Sequence, residues 1–120
     1  MKERDLHSYT ADLLRFTAAP GVLWLHIPNG EQRSARTGAK LKRMGVLAGA
    51  ADFLVVVRGQ AHFLELKTPK GRQSVAQLSF RTCATGAGSR YAIARSPEEV
   101  RNTLEGWAAV SVSPVVREAA

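Results

Sequence analysis

Apolar and polar positions alternate along the chain with two different periods. Leu6, Leu13 and Phe16, with Tyr9 and Leu14 beside them, recur at helical spacing and predict a first helix over Glu3 to Thr17. Pro20 and Gly21 end it. VLWLHI, residues 22–27, predicts a short strand, broken by Pro28, Asn29 and Gly30. Residues 31–45 predict a surface loop with a short helix ending at Gly45, because Leu41 and Met44 are their only large apolar groups. Phe53 to Val57 and Ala61 to Lys67 predict two strands, and Arg58-Gly59-Gln60 between them has the length of a tight hairpin turn.

A polar, basic loop, Thr68 to Gln73, leads to a helix from Ser74 to about Thr85, with Val75, Leu78 and Thr82 predicted on its inner face. Gly86 to Ser89 stop that helix, and RYAIAR, residues 90–95, predicts the last strand. Ser96, Pro97 and Glu99 form a helix start, followed by Val100, Leu104 and Trp107 at i, i+4, i+7. The order α-β-(α)-β-β-α-β-α predicts one α/β domain over residues 1–110, built on a mixed sheet of about four strands, with a tail at 111–120.

Charge changes this picture. Seventeen Lys and Arg face ten Asp and Glu, a formal net charge of +7, which favours a polyanionic partner such as nucleic acid. Basic side chains that only maintain solubility are the plainer alternative. The densest basic stretch, 31–45, holds Arg33, Arg36, Lys40, Lys42 and Arg43, and Lys70 and Arg72 follow later, so these seven are the candidate phosphate contacts. Cys83 is the only cysteine, which leaves no internal disulfide and no thiolate metal cluster and suits a reducing cytoplasm. No apolar run approaches the ~20 residues of a membrane helix, and MKERDLHS carries no apolar signal core. A soluble, cytoplasmic protein is expected.

The candidate chemistry lies in GAADFLVVVRGQAHFLELKTPKG, residues 49–71. Folding the hairpin about Gly59 brings Asp52, seven residues before it, and Glu65, six after it, to the same end of two neighbouring strands. Period two places Lys67 on the face of Glu65, with Leu64 and Leu66 toward the core. Two close carboxylates repel, and a divalent cation with a taste for oxygen, Mg²⁺ or Mn²⁺, relieves the repulsion. Such an ion polarises a phosphodiester and activates water, and Lys67 would orient that water or stabilise developing phosphoryl charge. The plainer alternative is that Asp52 caps a turn and that Glu65 and Lys67 form a solvated pair.

With these residues in place, the chain resembles the PD-(D/E)xK nuclease superfamily through Asp52 and Glu65-Leu66-Lys67. It is similar in particular to the stand-alone phage and bacterial form of the virus-type replication-repair nuclease (VRR-NUC) domain. HIPNG, KLKRMGVLAGAADFLVV, FLELKTPKGRQSVAQLSF and YAIARSPEEV carry that similarity, in order, over about Glu3 to Trp107. The resemblance implies a restriction-endonuclease-like fold, metal-binding roles for Asp52, Glu65 and the Leu66 carbonyl, and a catalytic role for Lys67. It implies secondary roles for Glu3 in the first helix, where His7 one turn on competes, and for Gln77, which also completes a capping box with Ser74. One departure is Ala51, where members usually have a proline that fixes the turn into the strand.

Other constellations are weaker. His7, His26 and His62 show no HxH or HxxxH pair, and His62 is expected opposite Glu65 on its strand. Ser74, Ser79 and Cys83 lack an evident His/Asp partner, and no phosphate-loop pattern occurs. Trp24 and Trp107 read as core or dimer contacts, and Asn29-Gly30 as a turn. The expected function is a Mg- or Mn-dependent endodeoxyribonuclease, using one or two metal ions and no small-molecule cofactor. By resemblance it acts as a homodimer on branched DNA such as four-way junctions. The alternatives are a non-catalytic basic nucleic-acid-binding module and a structural or interaction protein with a basic surface.

Overall fold

The computed structural model describes residues 1–28 and 35–111, the side chains of 35 and 36 excepted. Its elements follow the expected order: α1 (Glu3–Thr17), β1 (Leu23–His26), α2 (Ala35–Arg43), β2 (Phe53–Val57), β3 (Gln60–Leu66), α3 (Val75–Gly86), β4 (Arg90–Ala94) and α4 (Pro97–Gly106). The sheet order is β1-β2-β3-β4. The first three strands pair antiparallel and β4 lies parallel to β3, so the sheet is mixed. A parallel neighbour needs a crossover, and α3 supplies it.

The β2–β3 turn has two residues, Arg58 and Gly59, because Gln60 already pairs with Val57. Both take positive φ, 51° and 81°, as a type I′ turn demands. That geometry fixes the register Phe53↔Leu64 at the other end of the hairpin.

Period two then sorts the side chains. Phe53, Val55, Val57, Leu64 and Leu66 are buried in a core with Leu6 and Leu14 of α1 and Val100 and Leu104 of α4. His62 belongs to this side: its Nδ1 donates to the Val55 carbonyl at 3.1 Å and its ring lies 4.7 Å from that of Trp107. α3 covers the other face, where Phe80 meets Phe63 edge-on at 5.1 Å.

Two helices turn differently from the sequence expectation. In α1 the buried stripe is Leu6, Thr10 and Leu14, and Phe16 is exposed. Thr10 enters the core because its hydroxyl donates to the Leu6 carbonyl at 2.8 Å. In α3 the expected inner residues Val75, Leu78 and Thr82 face solvent, while Ala84 is buried and Phe80 packs on the sheet. The helix therefore meets the sheet through Phe80 and the small Ala84, and Val75 and Leu78 point away.

Helix ends are secured locally. Ser74 caps α3 through a full capping box with Gln77, and the Ser96 hydroxyl accepts from the Glu99 amide at 3.1 Å to start α4. The chain then returns to α1: Val110 bridges Ala18, and the Ser111 amide donates to the Thr17 carbonyl. Among the described residues no helix is long and apolar enough to cross a membrane.

Candidate active site

Asp52 and Glu65 each stand one residue beyond the Phe53↔Leu64 pair, at the open end of the hairpin. The Asp52 backbone is held from both sides. Its amide donates to the Leu64 carbonyl at 3.1 Å, and its carbonyl accepts from the Ile27 amide at 2.7 Å and from His26 Nδ1 at 2.9 Å. Ala51 beside it is fully buried. Strand pairing thus fixes the approach to the carboxylate.

The Asp52 carboxylate divides its two oxygens. Oδ2 accepts the Leu66 amide at 2.6 Å. Oδ1 faces His7 Nε2 at 3.3 Å. Glu3, one turn earlier on α1, joins them, and one ligand atom from each of the three lies within 4.8 Å of the others. The hydrogen bond to Asp52 raises the His7 pKa above its ordinary value against the opposing effect of burial, and the charges of Asp52 and Glu3 add to the rise.

Glu65 is 1% exposed. Its Oε1 accepts from the Tyr91 hydroxyl and from Gln73 Nε2, the latter at 3.2 Å. Burial, then the hydrogen bond to Glu65, pushes the Tyr91 phenol far above its ordinary range, so it remains a donor at any ordinary pH. Arg81 links the same group: it donates to Gln73 Oε1 at 3.3 Å and lies over the Tyr91 ring at 5.5 Å. Oε2 is buried and has no hydrogen-bond partner among the described residues. The nearest cation is Lys67, whose Nζ stands 3.9 Å away.

Lys67 has a firmer partner. Its Nζ donates to Gln77 Oε1 at 2.8 Å. The same oxygen accepts from the Ser74 amide at 2.8 Å, so Gln77 caps α3 and holds Lys67 at once. Gly49 lets the segment before Asp52 touch α3 here: with φ +79°, an added Cβ would lie 2.3 Å from the Ala76 carbonyl group.

A buried carboxylate with one oxygen saturated and the other orphaned is costly unless something positive completes it. At the same hairpin end as a second acid and flanked by a lysine, it suits a hard divalent cation bound through oxygen.

The expected site residues are therefore placed in two groups. Asp52, Glu65, Lys67 and Gln77 gather at the open end of the hairpin, where the Leu66 amide binds Asp52 and Glu3 reaches Asp52 from α1. Lys40, Lys42 and Arg43 on α2, and Lys70 and Arg72 in the loop after β3, are exposed surface cations. Arg33 and the side chain of Arg36 lie outside the described residues, as do Asn29 and Gly30. The 68–71 part of the loop is pinned by Arg95, which donates to the carbonyls of Thr68 and Gly71 at 2.8 and 2.6 Å.

Tyr91, Gln73 and Arg95 were not foreseen. The signal for Tyr91 was the parallel strand, which pairs it with Phe63, two residues from Glu65 on the same face. The histidines, scattered in sequence, are not all apart in space: His7 and His26 meet edge-on at 5.2 Å.

No family model and no curated protein matches the chain. Solved structures do. A VRR_NUC domain protein aligns with a TM-score of 0.73 at 20% identity, over 89% of this chain and 88% of its own. A VRR_NUC domain aligns with a TM-score of 0.60 at 20% identity, over 88% of this chain and 96% of its own. The four-stranded mixed sheet and its flanking helices are the fold of a VRR-NUC domain.

Proposed function

We propose that the protein is a metal-dependent DNA endonuclease that hydrolyses phosphodiester bonds in branched DNA, four-way junctions included, as a homodimer. One observation carries the catalytic part: the buried Glu65 carboxylate has an oxygen with no hydrogen-bond partner among the described residues, lies at the same hairpin end as Asp52 and stands beside Lys67. Asp52, Glu65 and the Leu66 carbonyl would hold Mg²⁺ or Mn²⁺, which when bound polarises a phosphodiester and activates water.

The chain's own residues divide the remaining work. Tyr91 and Gln73 fix Glu65 by one oxygen and leave the other free. Gln77 aims the Lys67 ammonium, which would orient the attacking water or donate to a phosphoryl oxygen as charge develops there. The net charge of +7 and the exposed Lys40, Lys42, Arg43, Lys70 and Arg72, with Arg33 and Arg36, suit a phosphate backbone. Support for a homodimer comes from apolar groups that one copy leaves open: Leu23 and Leu25 on the edge strand and Val75 and Leu78 on α3.

The test is incubation of the purified protein with a labelled four-way junction and a matched linear duplex, in Mg²⁺, in Mn²⁺ and in EDTA. Metal-dependent cutting of the junction, lost in Glu65→Gln, is the expected result. Junction binding without cutting in either metal would replace this reading with a non-catalytic basic binding module.

A further inference from the structure

We infer that His7 is a direct nitrogen ligand of the bound cation, and that with Glu3 and Asp52 it biases the site toward Mn²⁺ over Mg²⁺. The inference rests on the nuclease reading and deepens it.

Three features of the molecule carry it. First, the donor atoms converge. Leu66 occupies Asp52 Oδ2, so the remaining oxygen, Oδ1, is the one that faces His7 Nε2, and Glu3 completes a three-donor group within 4.8 Å. Glu3 and His7 are four residues apart on one helix, so they share a face by construction.

Second, the imidazole is held in place. Its ring packs edge-on against His26 at 5.2 Å and lies tilted against Phe53 at 5.9 Å. His26 is itself fixed by the Asp52 carbonyl, so the ring that presents Nε2 and the backbone that presents Oδ1 are braced by the same neighbour.

Third, an independent group asks for a cation at this end of the hairpin. Glu65, at the same end of the hairpin, is 1% exposed, its Oε2 has no hydrogen-bond partner among the described residues, and Lys67 Nζ stands 3.9 Å from it. A hydrogen bond between His7 and Asp52 satisfies Asp52 but does nothing for that oxygen.

The consequence is selectivity. Mg²⁺ takes oxygen ligands and gives up water reluctantly, whereas first-row transition ions accept imidazole. A site offering carboxylates alone discriminates little between Mg²⁺ and Mn²⁺. One that adds a positioned imidazole favours Mn²⁺.

The experiment uses the full chain with Mn²⁺ as the probe. Pulsed electron paramagnetic resonance reads whether a ¹⁴N nucleus is coordinated to the ion, and titration calorimetry compares Mn²⁺ with Mg²⁺. The expected result is a nitrogen coupling in the wild type that disappears in His7→Gln. Mn²⁺ affinity falls with it by roughly tenfold or more, the loss typical of disturbing even the outer support of a metal ligand, while Mg²⁺ affinity changes less. Mn²⁺ bound without nitrogen coupling, with affinity sensitive to Glu65→Gln but not to His7→Gln, overturns the role of His7 and leaves the nuclease reading standing. Coupling that persists in His7→Gln assigns the nitrogen to another residue and overturns it too. Absence of any Mn²⁺ binding overturns both.

Discussion

Lys67 and Gln77 share a hydrogen bond of 2.8 Å, and the Gln77 oxygen that accepts it also accepts the Ser74 amide at the first turn of α3. A helix cap and the orientation of an ammonium group therefore depend on one atom. The two roles separate by mutation. Ser74→Ala removes the other half of the capping box and should cost about 1 kcal/mol of stability, with cleavage per folded molecule retained. Gln77→Ala should lose similar stability and also slow single-turnover cleavage, by up to ~100-fold, as expected when a reacting group is left unplaced. Urea denaturation and single-turnover kinetics on both variants make the comparison.

Tyr91→Phe deletes only the hydroxyl that holds Glu65 Oε1. The carboxylate keeps Gln73 but gains freedom to turn. Mn²⁺ affinity should fall roughly tenfold, in line with other outer supports of metal ligands. Calorimetry reads the affinity, and an unchanged circular dichroism spectrum shows that the fold is intact.

The His7 imidazole of the metal-free protein should titrate above its ordinary value near 6.5, because Asp52 favours the protonated ring. Asp52→Asn should bring the midpoint back down. A folded-state pKa raised above the unfolded one stabilises the fold fully below the unfolded value. That contribution disappears as pH rises through the folded value. NMR of the ring protons against pH gives the midpoint. Denaturation from pH 5 to 8 should show the extra stability on the acid side only, and His7→Gln should remove it.

Gly49→Ala should be strongly destabilising. The left-handed backbone alone costs a side chain about 1–2 kcal/mol, and the new methyl would press on the Ala76 carbonyl group at 2.3 Å. Relief of that contact separates the Asp52 segment from α3, so cleavage should fall together with the thermal midpoint. A thermal melt and a cleavage assay below the melt test both effects.

Much of this was legible in the chain because the informative contacts are local or repeat with a fixed period. The Glu3–Thr17 helix, the hairpin and the Ser96-Pro97 helix start depend on spacing and on turn chemistry within a few residues. The placement of Asp52 and Glu65 at one end of neighbouring strands needed only the hairpin. The inner face of α3 was not legible, because branched bulk normally marks the buried side and here Ala84 is buried and Phe80 packs on the sheet while Val75 and Leu78 are exposed. Nor was the meeting of His7 with His26, or of Tyr91 with Glu65. Each joins elements that are distant in sequence, and only the packed sheet determines that they touch.

The two-residue turn at Arg58-Gly59 sits at the far end of the hairpin from the acids, yet it sets their alignment. Five cross-strand pairs separate it from Asp52 and Glu65. Since facing side chains alternate with each residue, a one-residue slip of the register would turn Glu65 to the other face and bring a leucine to its place. The hairpin therefore behaves as a counting device. The identity of the residues along it is open to drift so long as they suit their faces, but their number is part of the chemistry.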